Sequence, residues 1–169
     1  MFAEFRRRYP TTKAFAAAPE SELETLCKPL GLAWRVPLLH SLAQRVSELD
    51  DELPEDTGFL ETLPGVGPYA AAATVSLHGS SRAVLIDANI VRVLCRLTGA
   101  EYDGETRRKR WIIDLADQLT PPRAFRDYGY AMLDLGMLIC RPQTPRCHEC
   151  PLADLCKVGS EILGSSADG

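Results

Sequence analysis

Apolar residues recur along most of this chain at intervals of three or four positions, which is the spacing of one face of an α-helix. Leu38, Leu42 and Val46 show this spacing in the first half of the chain. A second stretch repeats it with Ile90, Val91, Leu94 and Leu97. No segment alternates apolar and polar residues convincingly in the way that a half-buried strand requires. The pattern therefore predicts an all-α fold.

Capping residues divide this pattern into separate helices. Asp56 or Thr57 can cap a short helix that runs to Leu63, and Asp87 can cap the helix that carries the second apolar stretch. Ser21, followed three residues later by Glu24, fits the capping box of a helix over 21–27. We also predict helices over 1–9, 69–77, 106–119 and 125–139.

The helical pattern stops near Cys140, which predicts a division of the chain at that point. Residues 1–139 then form a helical body, and residues 140–157 form a short loop rich in cysteine and proline. Such a loop cannot fold on hydrophobic burial alone and needs a metal centre. Residues 158–169, with their glycine and serine, are expected to be a flexible tail.

Composition and charge narrow the choice of function. The 169 residues are 46% hydrophobic and 25% charged, which excludes wholesale disorder. A net charge of −4 argues mildly against non-specific binding to nucleic acid, although a local basic face can still contact phosphate. No apolar run is long enough to span a membrane, and no secretory signal opens the chain. The basic clusters that could form such a face are Arg6 to Arg8, Arg92 with Arg96, Arg107 to Arg110, and Arg123 with Arg126.

Four of the six cysteines lie close together near the end of the chain. Cys140, Cys147, Cys150 and Cys156 are separated by six, two and five residues. Clustered thiols in a reducing cytosol favour metal binding over disulfides. The candidates for this set are a cubane iron–sulfur cluster and a structural zinc ion.

A glycine-rich turn separates two short helical stretches at Leu63-Pro64-Gly65-Val66-Gly67-Pro68. Each glycine lacks a Cβ, so the backbone can approach a ligand closely. Pro68 suits the first turn of the second helix, where backbone N–H groups point outward and favour an anion. A plain αα-turn with a glycine cap is the alternative.

Asp87 follows an apolar segment and begins a helix, so its simplest role is that of an N-cap. The same carboxylate can also serve chemistry, because cleavage of a glycosidic bond builds positive charge on the sugar. A fixed carboxylate stabilises that charge and orients water.

Three stretches together resemble the endonuclease III superfamily: residues 63–96, Asp134-Leu135-Gly136 before Cys140, and the cysteine spacing. The resemblance implies an all-α helix-hairpin-helix DNA glycosylase fold, with a helical barrel domain and a small iron–sulfur loop domain. It implies that the motif spans about 57–77, that Asp87 is the catalytic aspartate, and that the four cysteines hold a [4Fe–4S] cluster. It also implies a set of DNA contacts, which comprises Leu63, Gly65, Val66 and Gly67 of the hairpin and Arg141 and Arg146 of the cluster loop.

Tyr69 bears on the subtype. Endonuclease III has a lysine nucleophile at this position, and tyrosine cannot form the corresponding imine. We therefore expect a monofunctional glycosylase, with Tyr69 lining the pocket. The Asp87-Ala88-Asn89 triplet is more similar to thymine mismatch glycosylases, which remove T or U opposite G. An adenine glycosylase acting on A opposite G or oxidised G is the alternative, although such enzymes usually carry glycine where Ala88 lies.

The resemblance also sets an expectation about the start of the chain. Members of the family have a further helical segment before the point that matches Met1, and we expect this chain to lack it. A non-catalytic DNA-binding fragment is therefore a further alternative. The implied partner is double-stranded DNA with a mispaired or damaged base. We expect a monomer in the cytoplasm, associated with the nucleoid of a bacterium or archaeon.

Overall fold

The computed structural model describes residues 2–49 and 52–165. Within these ranges the chain forms helices and turns, and no strand is present. The prediction of an all-α fold is confirmed.

Ten α-helices follow one another in the described part of the chain. They are α1 (Phe2–Arg8), α2 (Thr12–Ala16), α3 (Glu20–Cys27), α4 (Val36–Ser47), α5 (Thr57–Glu61), α6 (Pro68–Ala73), α7 (Ala88–Thr98), α8 (Arg110–Leu119), α9 (Phe125–Asp134) and α10 (Lys157–Ser165). Two π-helical turns, Thr74–His78 and Leu135–Ile139, continue α6 and α9 directly. Short 3₁₀ turns occur at Lys28–Leu30, Ala33–Arg35, Thr106–Arg108, Cys147–Glu149 and Ala153–Leu155.

The chain divides into two compact units, residues 1–71 and residues 72–169. This division differs from the helical body over 1–139 that the sequence led us to expect. The cysteine loop belongs to the second unit, together with α7, α8 and α9. The boundary lies inside α6, where the sequence pattern is continuous and gives no sign of it.

In the first unit, α4 packs against α2 and α3. Ala18, Leu23 and Val36 are buried at the centre of this packing. A cluster of aromatic rings, Phe5, Tyr9 and Phe15, lies beside them with edge-to-face or tilted geometry. Each fully buried aliphatic side chain contributes about 1.5–3 kcal/mol to stability. These buried residues therefore form a small hydrophobic core.

In the second unit, α7 is the central helix. Its buried residues run without a break from Ile90 to Cys95, and it packs against α8, α9, α10 and the second π-turn. The other buried residues of this core include Leu85, Ile112, Ala116 and Met132. The packing is close, because a Cβ added at Gly129 would lie 2.8 Å from a methyl carbon of Leu85.

Several helix boundaries differ from the sequence prediction. Helix α3 begins at Glu20 with Pro19 as N-cap, so Ser21 lies inside the helix and does not form the expected capping box. Pro19 is extended with φ −63°, which is the angle that its ring imposes. The predicted helix over 106–119 is interrupted at Lys109, whose ψ of 137° ends the 3₁₀ turn before α8 begins.

The end of the described chain also differs from expectation. Residues 157–165 form α10, where we expected a flexible tail from residue 158. The helix is held because it packs against α7, and the aliphatic part of Lys157 lies over Gly99 at the end of α7. Buried Gly159 lies against Cys156. Residues 166–169 lie outside the described ranges.

Candidate functional site

Asp87 is fixed at the N-terminus of α7 by both of its carboxylate oxygens. Its Oδ1 accepts a hydrogen bond from the backbone N–H of Ile90 at 2.8 Å, which is the capping bond expected from the sequence. Its Oδ2 accepts a second bond from the side-chain amide of Asn89 at 2.8 Å. The residue is half-buried. Two such bonds fix the orientation of the carboxylate far more tightly than the capping bond alone.

A chain of hydrogen bonds continues from Asp87 to the cysteine loop. Asn89 accepts from a guanidinium nitrogen of Arg92 at 2.9 Å, and the same nitrogen donates to the carbonyl of Gly136 at 2.7 Å. The Nε of Arg92 donates to the carbonyl of Cys140 at 2.8 Å. Arg92 is only 6% exposed, so these bonds take the place of water. The first cysteine of the loop is thereby tied to the helix that presents Asp87.

The sequence had suggested a different role for Arg92. We grouped it with Arg96 as a possible phosphate-binding cluster, and its burial contradicts that interpretation. Arg96 is half-buried and already bonded within the protein, since it donates to the carbonyls of Arg141 at 2.7 Å and Pro142 at 2.6 Å. An arginine inside the buried stretch Ile90–Cys95, three residues after an asparagine, was the signal that could have revealed the bonded chain.

The second π-turn shapes this connection. The turn ends with a π-helical hydrogen bond, in which the N–H of Cys140 donates to the carbonyl of Leu135, five residues earlier, at 2.7 Å. The carbonyls of Gly136 and Cys140 are both bonded to Arg92. Gly136 must lack a side chain, because an added Cβ would lie 2.8 Å from the Cβ of Asn89.

The four cysteines of the C-terminal loop line one pocket. The other residues that line this pocket include Arg96, Ile139, Pro145 and Val158. Cys140 receives a hydrogen bond from Arg96 at its sulfur, at 3.5 Å, and Cys156 receives one from the N–H of Gly159 at 3.3 Å. Bonds of this kind to sulfur are typical of iron–sulfur ligands. Among the described residues, no group of His, Cys, Asp or Glu is arranged to hold a single metal ion.

The electrostatics of the pocket show that the four sulfurs interact. Burial raises the pKa of the Cys147 thiol, and the charges of Cys156, Cys140 and Cys150 raise it further, while Arg96 opposes them. Four thiolates in one pocket repel each other, so a positively charged metal centre is what would offset the repulsion. The donor set and its surroundings fit an iron–sulfur cluster.

The glycine hairpin lies in the first unit. Asp56 caps α5 by accepting from the N–H of Phe59 at 2.8 Å, and α6 begins at Pro68 as expected. Gly65 has a positive φ of +72°, and its missing side chain leaves room for Leu38 on α4, whose Cβ would be 3.1 Å away. Gly67 is different, because an added Cβ would meet nothing within 4 Å.

The other expected hairpin residues lie in varied surroundings. Leu63 is 5% exposed, so its side chain belongs to the core of the hairpin and only its backbone could contact a ligand. Val66 is half-buried, and Tyr69 on α6 is 39% exposed. Tyr69 belongs to the first unit and Asp87 to the second.

Two of the four expected basic clusters are paired with neighbouring acids. Arg7 and Arg8 pair with Glu4. Across the run from Arg107 to Arg110, Arg108 pairs with Glu105, Lys109 with Asp103, and Arg110 with Asp114. Such exposed pairs contribute little to stability, but they reduce the positive charge available for phosphate.

The cluster loop presents two further arginines. Arg141 donates from Nε to the carbonyl of Leu138 at 3.1 Å. Arg146 lies 2.5 Å from a carboxylate oxygen of Glu149, and the imidazole of His148 lies 3.1 Å from that same oxygen.

Within the described residues, no helix is long and apolar enough to cross a membrane.

Comparison with known proteins identifies the class to which this arrangement belongs. Residues 1–115 match the family described as HhH-GPD superfamily base excision DNA repair protein. Residues 140–156 match the iron–sulfur binding domain of endonuclease III, and this match begins and ends at the outer two of the four cysteines. The chain belongs to the HhH-GPD superfamily, and its cofactor is a [4Fe–4S] cluster.

Individual relatives give the same result. The chain is 36% identical over 163 residues to a thymine-DNA glycosylase of Aeropyrum pernix, covering 92% of this chain and 72% of that protein. It is 33% identical over 168 residues to an adenine DNA glycosylase of Schizosaccharomyces pombe, covering 95% of this chain and 36% of that longer protein.

A solved structure supports the fold. The structure of a non-covalent endonuclease III–DNA complex is similar with a TM-score of 0.81 and 25% identity, over 96% of this chain and 76% of that one. The predicted helix-hairpin-helix glycosylase fold is confirmed.

Proposed function

We propose that this chain, a DNA glycosylase of base excision repair, hydrolyses the N-glycosidic bond of T or U opposite G and has no lyase activity. It would act as a monomer on double-stranded DNA. The family match supports the class of reaction, and the observation that carries the mechanism is the doubly held carboxylate of Asp87.

Asp87 has the properties that the reaction requires of its acidic residue. Departure of the base leaves positive charge on the sugar, and a carboxylate of fixed orientation stabilises that charge. The same group can orient or deprotonate the attacking water. Asn89 and Arg92 are positioning residues in this mechanism, because they act through Asp87 and do not touch the reacting atoms.

The hairpin supports the proposed contact with the DNA backbone. No packing inside the described protein requires a glycine at position 67. An exposed position without a Cβ at the start of α6 is suited to the close approach of a phosphate. We propose that the backbone of Leu63, Gly65, Val66 and Gly67 makes this contact, with Arg141 and Arg146 contacting phosphates from the cluster loop.

The absence of lyase activity is proposed from Tyr69. A phenol cannot condense with C1′ to form the imine through which a lysine would act. Its partly exposed ring on α6 is available to line a pocket for the extruded nucleotide.

The proposed [4Fe–4S] ligands are Cys140, Cys147, Cys150 and Cys156. When bound, the cluster supplies structural order to a loop that has no hydrophobic core of its own. The hydrolysis itself requires no electron transfer.

The substrate preference is proposed from Ala88 and from the relatives. Ala88 stands between Asp87 and Asn89, where adenine glycosylases usually carry glycine. The thymine-DNA glycosylase of Aeropyrum pernix is 36% identical to this chain. An adenine glycosylase is the second candidate, because a relative of that name is 33% identical over 95% of this chain.

Single-turnover assays on duplexes that carry T:G, U:G, A:G or A opposite oxidised G test the substrate. We expect cleavage at T:G and U:G only. Product from A opposite oxidised G without product from T:G would replace the first candidate by the second. Borohydride added during turnover should trap no covalent adduct, and a trapped adduct would contradict the assignment of Tyr69.

A further inference from the structure

The cluster loop contains an ion pair built by its own local structure. Arg146 precedes the 3₁₀ turn Cys147–Glu149, and the N–H of Glu149 bonds to the carbonyl of Arg146 at 3.0 Å. Side chains three residues apart lie above one another in a 3₁₀ turn. The turn therefore aligns Arg146 with Glu149, whose Oε1 lies 2.5 Å from the guanidinium.

The pair is located where DNA could reach it. The side chains of Arg146 and Glu149 are 43% and 37% exposed, so the guanidinium is accessible to a phosphate from solvent. A carboxylate and a phosphate use the same donors of an arginine, since both accept its paired N–H groups. Glu149 therefore already engages one of the guanidinium nitrogens through which Arg146 would bind a phosphate.

Arg141, in the same loop, offers a contrast. Its Nε donates to the carbonyl of Leu138, and among the described residues no carboxylate lies within ion-pair distance of it. The two arginines thus differ in their readiness to accept a phosphate, although they lie only five positions apart in the chain.

We propose that Glu149 is an autoinhibitory residue, which competes with a DNA phosphate for Arg146 and thereby limits the affinity of the cluster loop for undamaged DNA. The proposal rests on the phosphate contact assigned to Arg146 above. Weak binding to undamaged duplex benefits a repair enzyme, because non-specific sites vastly outnumber its substrates.

The expected effect is modest and measurable. An exposed ion pair is worth no more than about 1 kcal/mol, so freeing Arg146 should raise DNA affinity about two- to five-fold. One additional neutralised phosphate should steepen the plot of log affinity against log salt concentration by about 0.9.

The test measures binding of a fluorescent duplex without any mispair to the iron-loaded protein, across a range of salt concentrations. Glu149→Gln should bind more tightly with the steeper slope. Asp154→Asn is the matched control, since Asp154 is an exposed acid in the next 3₁₀ turn of the loop. This substitution removes the same negative charge from the loop without freeing Arg146. An equal gain from both variants would show a general charge effect and would overturn the proposal.

A second variant separates competition from charge. Glu149→Asp keeps the negative charge but shortens the side chain, so competition predicts a gain and a pure charge effect predicts none. The gain from Glu149→Gln should also disappear in an Arg146→Gln background. If the gain persists without Arg146, the two side chains do not compete and the proposal is wrong.

Arg141→Gln distinguishes failure of this proposal from failure of the assigned interface. Loss of affinity with this variant, but no response to Glu149→Gln, would leave the DNA interface intact and reject the competition alone. If none of Arg141→Gln, Arg146→Gln and Glu149→Gln changes the DNA affinity, both the proposed interface and the proposed competition are rejected. Absorption of blue light by the iron–sulfur cluster confirms that each variant is folded and carries its cluster.

Discussion

At the scale of single residues, Asp87 combines a structural role with the proposed chemical one. It caps α7 through Oδ1 and is held by Asn89 through Oδ2. These roles can be separated by mutation, because asparagine caps a helix as well as aspartate does but carries no charge.

Asp87→Asn should therefore lower turnover about 100- to 10,000-fold while DNA affinity changes little. The melting temperature should fall only modestly, because the cap is kept and only the bond from Asn89 is lost. Asp56→Asn is the matched control, since Asp56 makes the same 2.8 Å capping bond at the start of α5. Single-turnover kinetics and thermal unfolding provide the measurements. Retained turnover in Asp87→Asn would reduce Asp87 to a helix cap.

Asp103 provides a prediction for acid pH. Hydrogen bonds from Thr106 and then from Lys109 lower the pKa of this carboxyl from 3.8 to about 2. Desolvation opposes them, and the N–H of Glu105 adds a weaker lowering effect. The pKa of Asp103 is lower in the folded protein than in the unfolded chain. The stabilisation from its charged form is therefore complete above a pH of about 4 and is lost as the pH falls through about 2.

Asp103→Asn should therefore lower the melting temperature at neutral pH, and the difference from the wild type should shrink as the pH falls from 4 towards 2. Thermal unfolding at a series of pH values measures this. A difference between the two proteins that stays constant over that range would show that the charge of Asp103 is not responsible.

At the scale of elements, α7 and the second π-turn form the connection between the proposed acid and the metal loop. Arg92 donates to Asn89 on its own helix, to the carbonyl of Gly136 in the turn and to that of Cys140 directly after it. The connection depends on a buried side chain, so removing that side chain leaves acceptors without partners.

Arg92→Gln should cost about 2–4 kcal/mol of folding stability and lower the iron content of the purified protein. Turnover per iron-loaded molecule should fall as well, because Asn89 then holds Asp87 less firmly. Arg82→Gln is the control, since Arg82 also donates to backbone carbonyls, of Asp117 and Thr120, but is partly exposed. Equal turnover per iron-loaded molecule in Arg92→Gln and wild type would exclude the positioning role.

At the scale of the whole molecule, the second unit relies on two different sources of order. Residues 72–139 have the apolar core around α7, whereas the stretch from Cys140 to Cys156 contains only short turns and no buried hydrophobic residue among those described. The bound cluster must therefore provide the order of that loop.

Removal of iron by oxidation and chelation should make trypsin cut readily after Arg146 and Lys157, while buried Arg92 remains protected. Arg141 is not a cleavage site, because Pro142 follows it. The helical signal in circular dichroism should fall only slightly, because α7, α8 and α9 keep their core. Limited proteolysis followed by mass spectrometry identifies the cleavage sites. Identical digestion with and without iron would show that the loop does not depend on the cluster.

Features that depend on residues close together in the chain could be predicted from the sequence. Helical periodicity and the caps at Asp56 and Asp87 predicted the fold class, and the spacing of the four cysteines predicted a metal centre, because neighbouring residues set these features. The resemblance to the endonuclease III superfamily then favoured an iron–sulfur cluster over zinc. Features that depend on residues far apart in the chain became visible only in the folded protein. The inward direction of Arg92, the need for glycine at 136 and the docking of α10 arise from contacts across 40 residues or more of sequence. No local pattern encodes those contacts, since burial and partners are fixed only when the elements pack.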